Sequence, residues 1–174
     1  MKKGTLWMIF LGLFLFGLDL WTKSWADEHL LNISHGPERY PYGGVPIFQD
    51  LFGIDFSLNL AKNRGGAWGI LSSFPLFLAV LRLSILTFLF IYLIRKMRDS
   101  SSSVWTILPL LLIFIGAAGN ILDFFIYGAV IDLFHFVLWG YSFPIFNIAD
   151  MLILFGASAL LVASFLKQRE KRCR

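Results

Sequence analysis

Val104-Trp-Thr-Ile-Leu-Pro-Leu-Leu-Leu-Ile-Phe-Ile-Gly-Ala-Ala-Gly-Asn-Ile-Leu122 contains no charged side chain. As a helix rising about 1.5 Å per residue, a stretch of this length crosses most of the roughly 30 Å hydrocarbon core of a bilayer. Three more apolar stretches run from about Leu6 to Trp25, from Phe74 to Ile94 and from Asn147 to Leu166. Each is close to the roughly 20 residues that a spanning helix needs. Only 15% of the 174 residues are charged, and mean hydropathy is +0.72. A soluble domain carries about 25% charged residues, so lipid is the main solvent of this chain. The single cysteine, Cys173, lies in a basic tail and excludes an internal disulfide framework.

The first stretch follows Lys2 and Lys3, as a signal peptide would, but no small-x-small cleavage site comes after it. It reads as a span. The net charge of +4 could suit nucleic acid, yet the basic residues cluster beside apolar runs, which is the pattern of membrane topology. Lys2 and Lys3 precede the first span, Arg95, Lys96 and Arg98 follow the second, and Lys167, Arg169, Lys171, Arg172 and Arg174 follow the fourth. Both termini and the 95–103 loop are therefore expected in the cytoplasm, with segments 26–73 and 123–146 outside.

The outer segments are not featureless. Pro37, Pro41, Gly43, Gly44 and Pro46 mark turns. Ile54-Asp-Phe-Ser-Leu-Asn-Leu60 alternates apolar and polar residues, as a strand does, and Gly128 to Phe136 is a second candidate strand. The expected fold is membrane all-α. Residues 1–174 form one four-transmembrane-helix bundle with a small β-sheet on the outer (periplasmic) face. Gly12 and Gly17, Gly116 to Gly119, and Gly156 to Ala159 are small residues that allow close helix packing.

Ionisable side chains at membrane depth are costly and so are functional candidates. Asp19 and Lys23 share a helix face and read as an ion pair that can also border a site. Asn120 and Asp123 fall at the outer end of the third span, where an acid opposes the helix dipole and calls for a specific partner. Asn147 and Asp150 open the fourth span, and by spacing alone they read as a cap with a first-turn acid. Asp132 interrupts an otherwise apolar strand, and topology brings it to the same outer level as Asp150. Two converging carboxylates are the minimum kit for activating water, one ionised to take a proton and one protonated to give one. Arg82, near mid-span, reads as structural. His29, His35 and His135 show no metal-ligand spacing, and no metal or cofactor is expected.

Four motifs in order resemble those of the lipoprotein signal peptidases, or signal peptidase II. Asp19-Leu-Trp-Thr-Lys23 is similar to D-x-x-T-K. Asn63-Arg-Gly-Gly-Ala-Trp-Gly69 is similar to N-x-G-A-A-F-[GS] and includes Gly65. Gly119-Asn-Ile-Leu-Asp123 with Gly128-Ala-Val-Ile-Asp132 is similar to G-N-x-x-D-R-x-x-x-G-x-V-x-D-F. Phe146-Asn-Ile-Ala-Asp150 is similar to F-N-x-A-D. The resemblance implies a bacterial inner-membrane aspartic endopeptidase that cleaves prolipoproteins before a diacylglyceryl-modified cysteine. It implies Asp132 and Asp150 as the catalytic pair, with Asn63, Gly65, Asn120, Asp123, Asn147, Asp19 and Lys23 supporting the site or the substrate. The expected partners are lipid-modified prolipoproteins and membrane lipid, not nucleic acid, with the chain monomeric.

The family arginine after G-N-x-x-D is Phe124 here, so the counter-charge of Asp123 must come from elsewhere, and Arg64 is the candidate. Gly66, Trp68 and Leu133 are milder departures. Two other readings compete. A small transporter or channel subunit would spread its acids through the depth of the bundle. A Ser/Lys protease would need Lys23 or Lys62 beside Ser24 or Ser57.

Overall fold

The computed structural model describes residues 3–31, 44–64 and 75–172. The turn residues Pro37, Pro41 and Gly43, the Gly65–Gly69 part of the second motif, and Cys173 lie outside the described residues. The elements run α1 (Lys3–Leu30), β1 (Val45–Leu51), β2 (Ile54–Asn63), α2 (Pro75–Arg98), α3 (Val104–Tyr127), β3 (Val130–Leu138), β4 (Tyr141–Ser142) and α4 (Ile148–Arg172). Among the described residues, four helices are long and apolar enough to cross a membrane and a small sheet forms, as the sequence predicts, but the sheet has four antiparallel strands where the sequence named two.

All four helices run past the expected C-terminal ends of their spans, to Leu30, Arg98, Tyr127 and Arg172, and two of the extensions have a visible cause. Segment 26–30 was expected outside the first span, but α1 stays helical to Leu30 because Ala26 and Leu30 are buried in an apolar cluster. Helix α3 runs past Asp123 to Tyr127, since a cation meets that carboxylate and the charge gives no reason to stop.

The described chain forms two compact units. The first comprises Met1–Gly17, Leu76–Ile121 and Ala149–Arg174, which is the bulk of the helices. Helix α3 is its centre: half of its most apolar window is buried, against 11% for α2. Glycines set the spacing. A Cβ on Gly116 would overlap the backbone oxygen of Ala149 on α4, and one on Gly156 would lie 2.6 Å from the backbone oxygen of Pro109 on α3. Gly12 of α1 instead makes room for the tip of the Ile115 side chain on α3. These small-residue contacts let backbones approach where lipid supplies no hydrophobic drive. Gly17 departs from expectation, because the space beside it is open. Phe10, Phe14, Phe88, Phe155 and Phe165 are exposed, as lipid-facing side chains must be.

The second unit comprises Leu18–Pro75 and Leu122–Ile148, and holds the sheet in the order β1-β2-β3-β4. Strand alternation divides β3. Ile131 and Leu133 pack with Ala26 and Leu30, with Trp25, Val45, Leu58, Leu60 and Tyr127 around them and Phe134 touching the cluster from the next position of the strand. By the same alternation Asp132 shares the opposite side with Phe134 and Phe136, which stack with Phe56 and Phe146. Strand β2 pairs with β3 from Ile54↔Leu138 to Asn63↔Val130, with a bulge between Leu58 and Ala61. Two-residue turns close both hairpins, Phe52-Gly53 between β1 and β2 and Trp139-Gly140 between β3 and β4. φ is positive at all four turn residues, the mark of a type I′ hairpin whose twist suits the strands.

Candidate active site

Asp132 is reached by β3 and is 5% exposed. A buried carboxylate needs donors. Asn147 Nδ2 donates to its Oδ1 at 2.7 Å, and Asn63 Nδ2 reaches its Oδ2 at 3.5 Å. Asn63 comes from the end of β2, opposite Val130, so sheet register brings it there. Asn147 lies just before α4, where spacing alone suggested a cap. Its amide nitrogen turns to the strand and also donates to the Ile131 carbonyl at 3.1 Å.

The other face of Ile131 is held as well. Its N–H donates to Asp123 Oδ2 at 3.2 Å. Lys23 Nζ lies 2.8 Å from that same oxygen and 2.7 Å from Asp19 Oδ2. All three charged side chains are almost fully buried. The first-helix ion pair expected from sequence is therefore a three-member cluster, and its third member is on α3. Buried charges persist only when paired and hydrogen-bonded, and here the cluster holds the residue immediately before Asp132. The cation beside Asp123 is Lys23, not Arg64, which is exposed. Phe124 is half-buried and packs edge-on against Phe125.

Asp150 lies in the first turn of α4 and is half-buried. Asn120 Nδ2 of α3 donates to its Oδ1 at 2.8 Å. The four acids of the motifs thus fall into two kinds. Asp19 and Asp123 share an ammonium, whereas Asp132 and Asp150 are each oriented by an asparagine amide. A carboxamide can orient a carboxylate while exchanging no proton with it. Of the remaining sequence candidates, Gly65 lies outside the described residues.

One feature escaped the sequence. His135 is buried between Asn59 Nδ2, 2.9 Å from its Nδ1, and Ser142 Oγ, 2.9 Å from its Nε2. Desolvation holds it below the usual histidine range, so it is neutral near pH 7. The alternation of β3 placed it on the packed side, but nothing local named its partners. The Ser/Lys alternative loses its geometry. Lys23 serves two carboxylates, Ser24 is exposed, and Lys62 pairs with Asp27 at 2.7 Å.

Four spanning helices, a small sheet and acids oriented by asparagines define a multi-pass membrane enzyme. Residues 11–166 match the family described as signal peptidase (SPase) II, and the chain belongs to that family, whose members are proteases. It is 31% identical to the lipoprotein signal peptidase of Syntrophus aciditrophicus (strain SB), over 98% of this chain and 99% of that protein. It is 38% identical to that of Chlamydia pneumoniae, over 68% of this chain and 71% of the relative. Among solved structures, a bacterial membrane enzyme determined by the in meso method at 2.3 Å resolution matches with a TM-score of 0.73 and 28% identity, covering 98% of this chain and 93% of the other. A second, at 1.9 Å, matches with a TM-score of 0.67 and 29% identity, covering 93% of each.

Proposed function

We propose that this chain removes signal peptides from prolipoproteins as an aspartic endopeptidase, hydrolysing the bond before a lipid-modified cysteine with Asp132 and Asp150. The observation that carries the assignment is the division of the acids. Lys23 ties Asp19 and Asp123 into one buried cluster, while Asn147 and Asn120 each aim an amide at one of the two acids that the family motifs put in the pair. The dyad reading requires Asp132 and Asp150 to share a water. The chain path supports it, because Asn147, the donor to Asp132, precedes Asp150 by three residues.

In this reading the ionised member of the pair takes a proton from water as the oxygen attacks the scissile carbonyl. The protonated member donates to the carbonyl oxygen, giving a tetrahedral diol. Collapse of the diol breaks the C–N bond and delivers a proton to the departing amine. Two like charges brought together favour a shared proton, so activity should follow a bell-shaped pH profile.

The membrane is the bacterial inner membrane, with both termini cytoplasmic and the site at the outer face. The basic last turn of α2, with Arg95, Lys96 and Arg98, supports that orientation. The substrate's acyl chains lie in lipid against the protein, where burial is worth about 0.8 kcal/mol per methylene. The enzyme works as a monomer.

The test is incubation of the purified protein with a prolipoprotein in lipid-modified and unmodified forms. The modified form should be cut, and the unmodified form very poorly. Asp132→Asn and Asp150→Asn should each abolish cleavage while the protein still accumulates in the membrane, and the double variant should be little worse than either. Near-normal cleavage by either single variant would remove that residue from the dyad.

A further inference from the structure

The two hairpin turns of the sheet are occupied by the wrong residues for their backbone. Type I′ positions favour Asn, Asp and Gly, which accept positive φ at little cost. Here the first position of each turn is a bulky aromatic, Phe52 at φ 55° and Trp139 at φ 49°. Such a residue in the left-handed region is a genuine outlier and persists only where its surroundings or its function demand it. Neither side chain gains burial from the strain: Phe52 is 88% exposed and Trp139 77%.

The two turns are also fixed to each other. Trp139 N–H donates to the Gly53 carbonyl at 2.8 Å. The Trp139 indole lies so close over Gly53 that a Cβ there would meet its Cδ1 at 2.6 Å. The two turns that carry the rings are thus joined to each other. Around them Ile47, Leu51, Tyr141 and Phe143 are exposed. Residues 47–55 and 138–143 include no Lys or Arg, and the Asp55 carboxylate is engaged by the Asp50 N–H at 2.7 Å.

We propose that the paired turns Phe52-Gly53 and Trp139-Gly140 form a membrane anchor that places Phe52 and Trp139 in the interfacial zone of a bilayer. Trp, Tyr and Phe beside aliphatic side chains are the composition that headgroup-level water and acyl chains both satisfy. The absence of basic residues makes the attraction apolar, so zwitterionic lipid suffices. The anchor is independent of which bond the enzyme cuts.

The single native cysteine makes a direct test practical. In a Cys173→Ser background, Phe52→Cys and Trp139→Cys variants of the full chain are labelled with a fluorophore and placed in phosphatidylcholine nanodiscs. Each label is titrated with iodide in water, and separately with phosphatidylcholine carrying a nitroxide on its acyl chain. The proposal expects strong quenching by the lipid nitroxide and weak quenching by iodide at both positions. Full iodide quenching at either position overturns it. Protection from both quenchers also overturns it, by pointing to a protein partner. Phe52→Asn and Trp139→Asn, which suit the turn backbone, should fold at least as well as the parent, showing that the aromatics are not there for stability. A loss of folding in both would also count against the anchor.

Discussion

Replacing Lys23 by methionine should be among the most destabilising single changes in this protein. The ammonium lies 2.7 and 2.8 Å from two carboxylates, and the side chains of all three residues are at most 1% exposed. Without it, Asp19 and Asp123 face each other as uncompensated buried charges. Removing one partner from a buried ion pair costs about 3–5 kcal/mol. For a chain of this size that corresponds to a fall in Tm of about 6–20 °C. Asp123→Asn should cost less, because Lys23 keeps Asp19 and the amide oxygen can still accept the Ile131 N–H. Combining Lys23→Met with Asp19→Leu and Asp123→Asn removes every charge together, and should recover most of the loss. Thermal unfolding in detergent micelles, followed by tryptophan fluorescence, measures the series. If Lys23→Met unfolded within about 2 °C of the parent, or the triple variant were worse than the single, the burial argument would fail.

Three further outcomes follow from other parts of the molecule. Gly116→Ala pushes a methyl into the Ala149 carbonyl and should cost about 1–3 kcal/mol, whereas Gly17→Ala meets open space and should be neutral or stabilising in the same unfolding assay. Because burial lowers the proton affinity of His135 relative to the unfolded chain, its contribution is fully present above the usual value of 6.5 and is lost as pH falls through it. The protection factors of β2 and β3 amides, corrected for the intrinsic slowing of exchange at lower pH, should therefore drop as pH falls from about 7.5 to 5.5, and an unchanged slope in His135→Gln would assign the effect elsewhere. A reporter active only outside the cytoplasm should work when fused near Tyr42 and fail near Asp99, and the reverse pattern would invert the topology.

The spans were legible because each is an apolar run of the length a bilayer demands, β2 because Ile54 to Leu60 alternates apolar and polar residues, and β3 as a short apolar-rich run after Gly128. The motif acids were legible as types, but not as two kinds. Nothing in the spacing of Asp123 shows that it shares Lys23 with Asp19, since that pairing joins residues a hundred positions apart. Strand β1 was hidden by Gly44 and Pro46, which read as turns. At the sheet edge a proline removes no ladder bond, so the strand tolerates it. The hairpin turns were hidden for the opposite reason. Phe-Gly and Trp-Gly are not turn dipeptides by chemistry, and only the backbone angles reveal them.

Ile131 has its N–H taken by Asp123 and its carbonyl by Asn147, so the two peptide groups that flank its Cα are both gripped. Neighbouring strand residues face opposite ways, so a slide of one position would present Ile131 or Leu133 where the carboxylate belongs. Errors in this strand therefore do not weaken the acid by degrees; they replace it with a hydrocarbon. The grip acts as a frame marker, much as a start codon fixes a reading frame. A variant that loosens it should yield a population divided between fully competent and inert molecules, rather than a uniform population of slow ones.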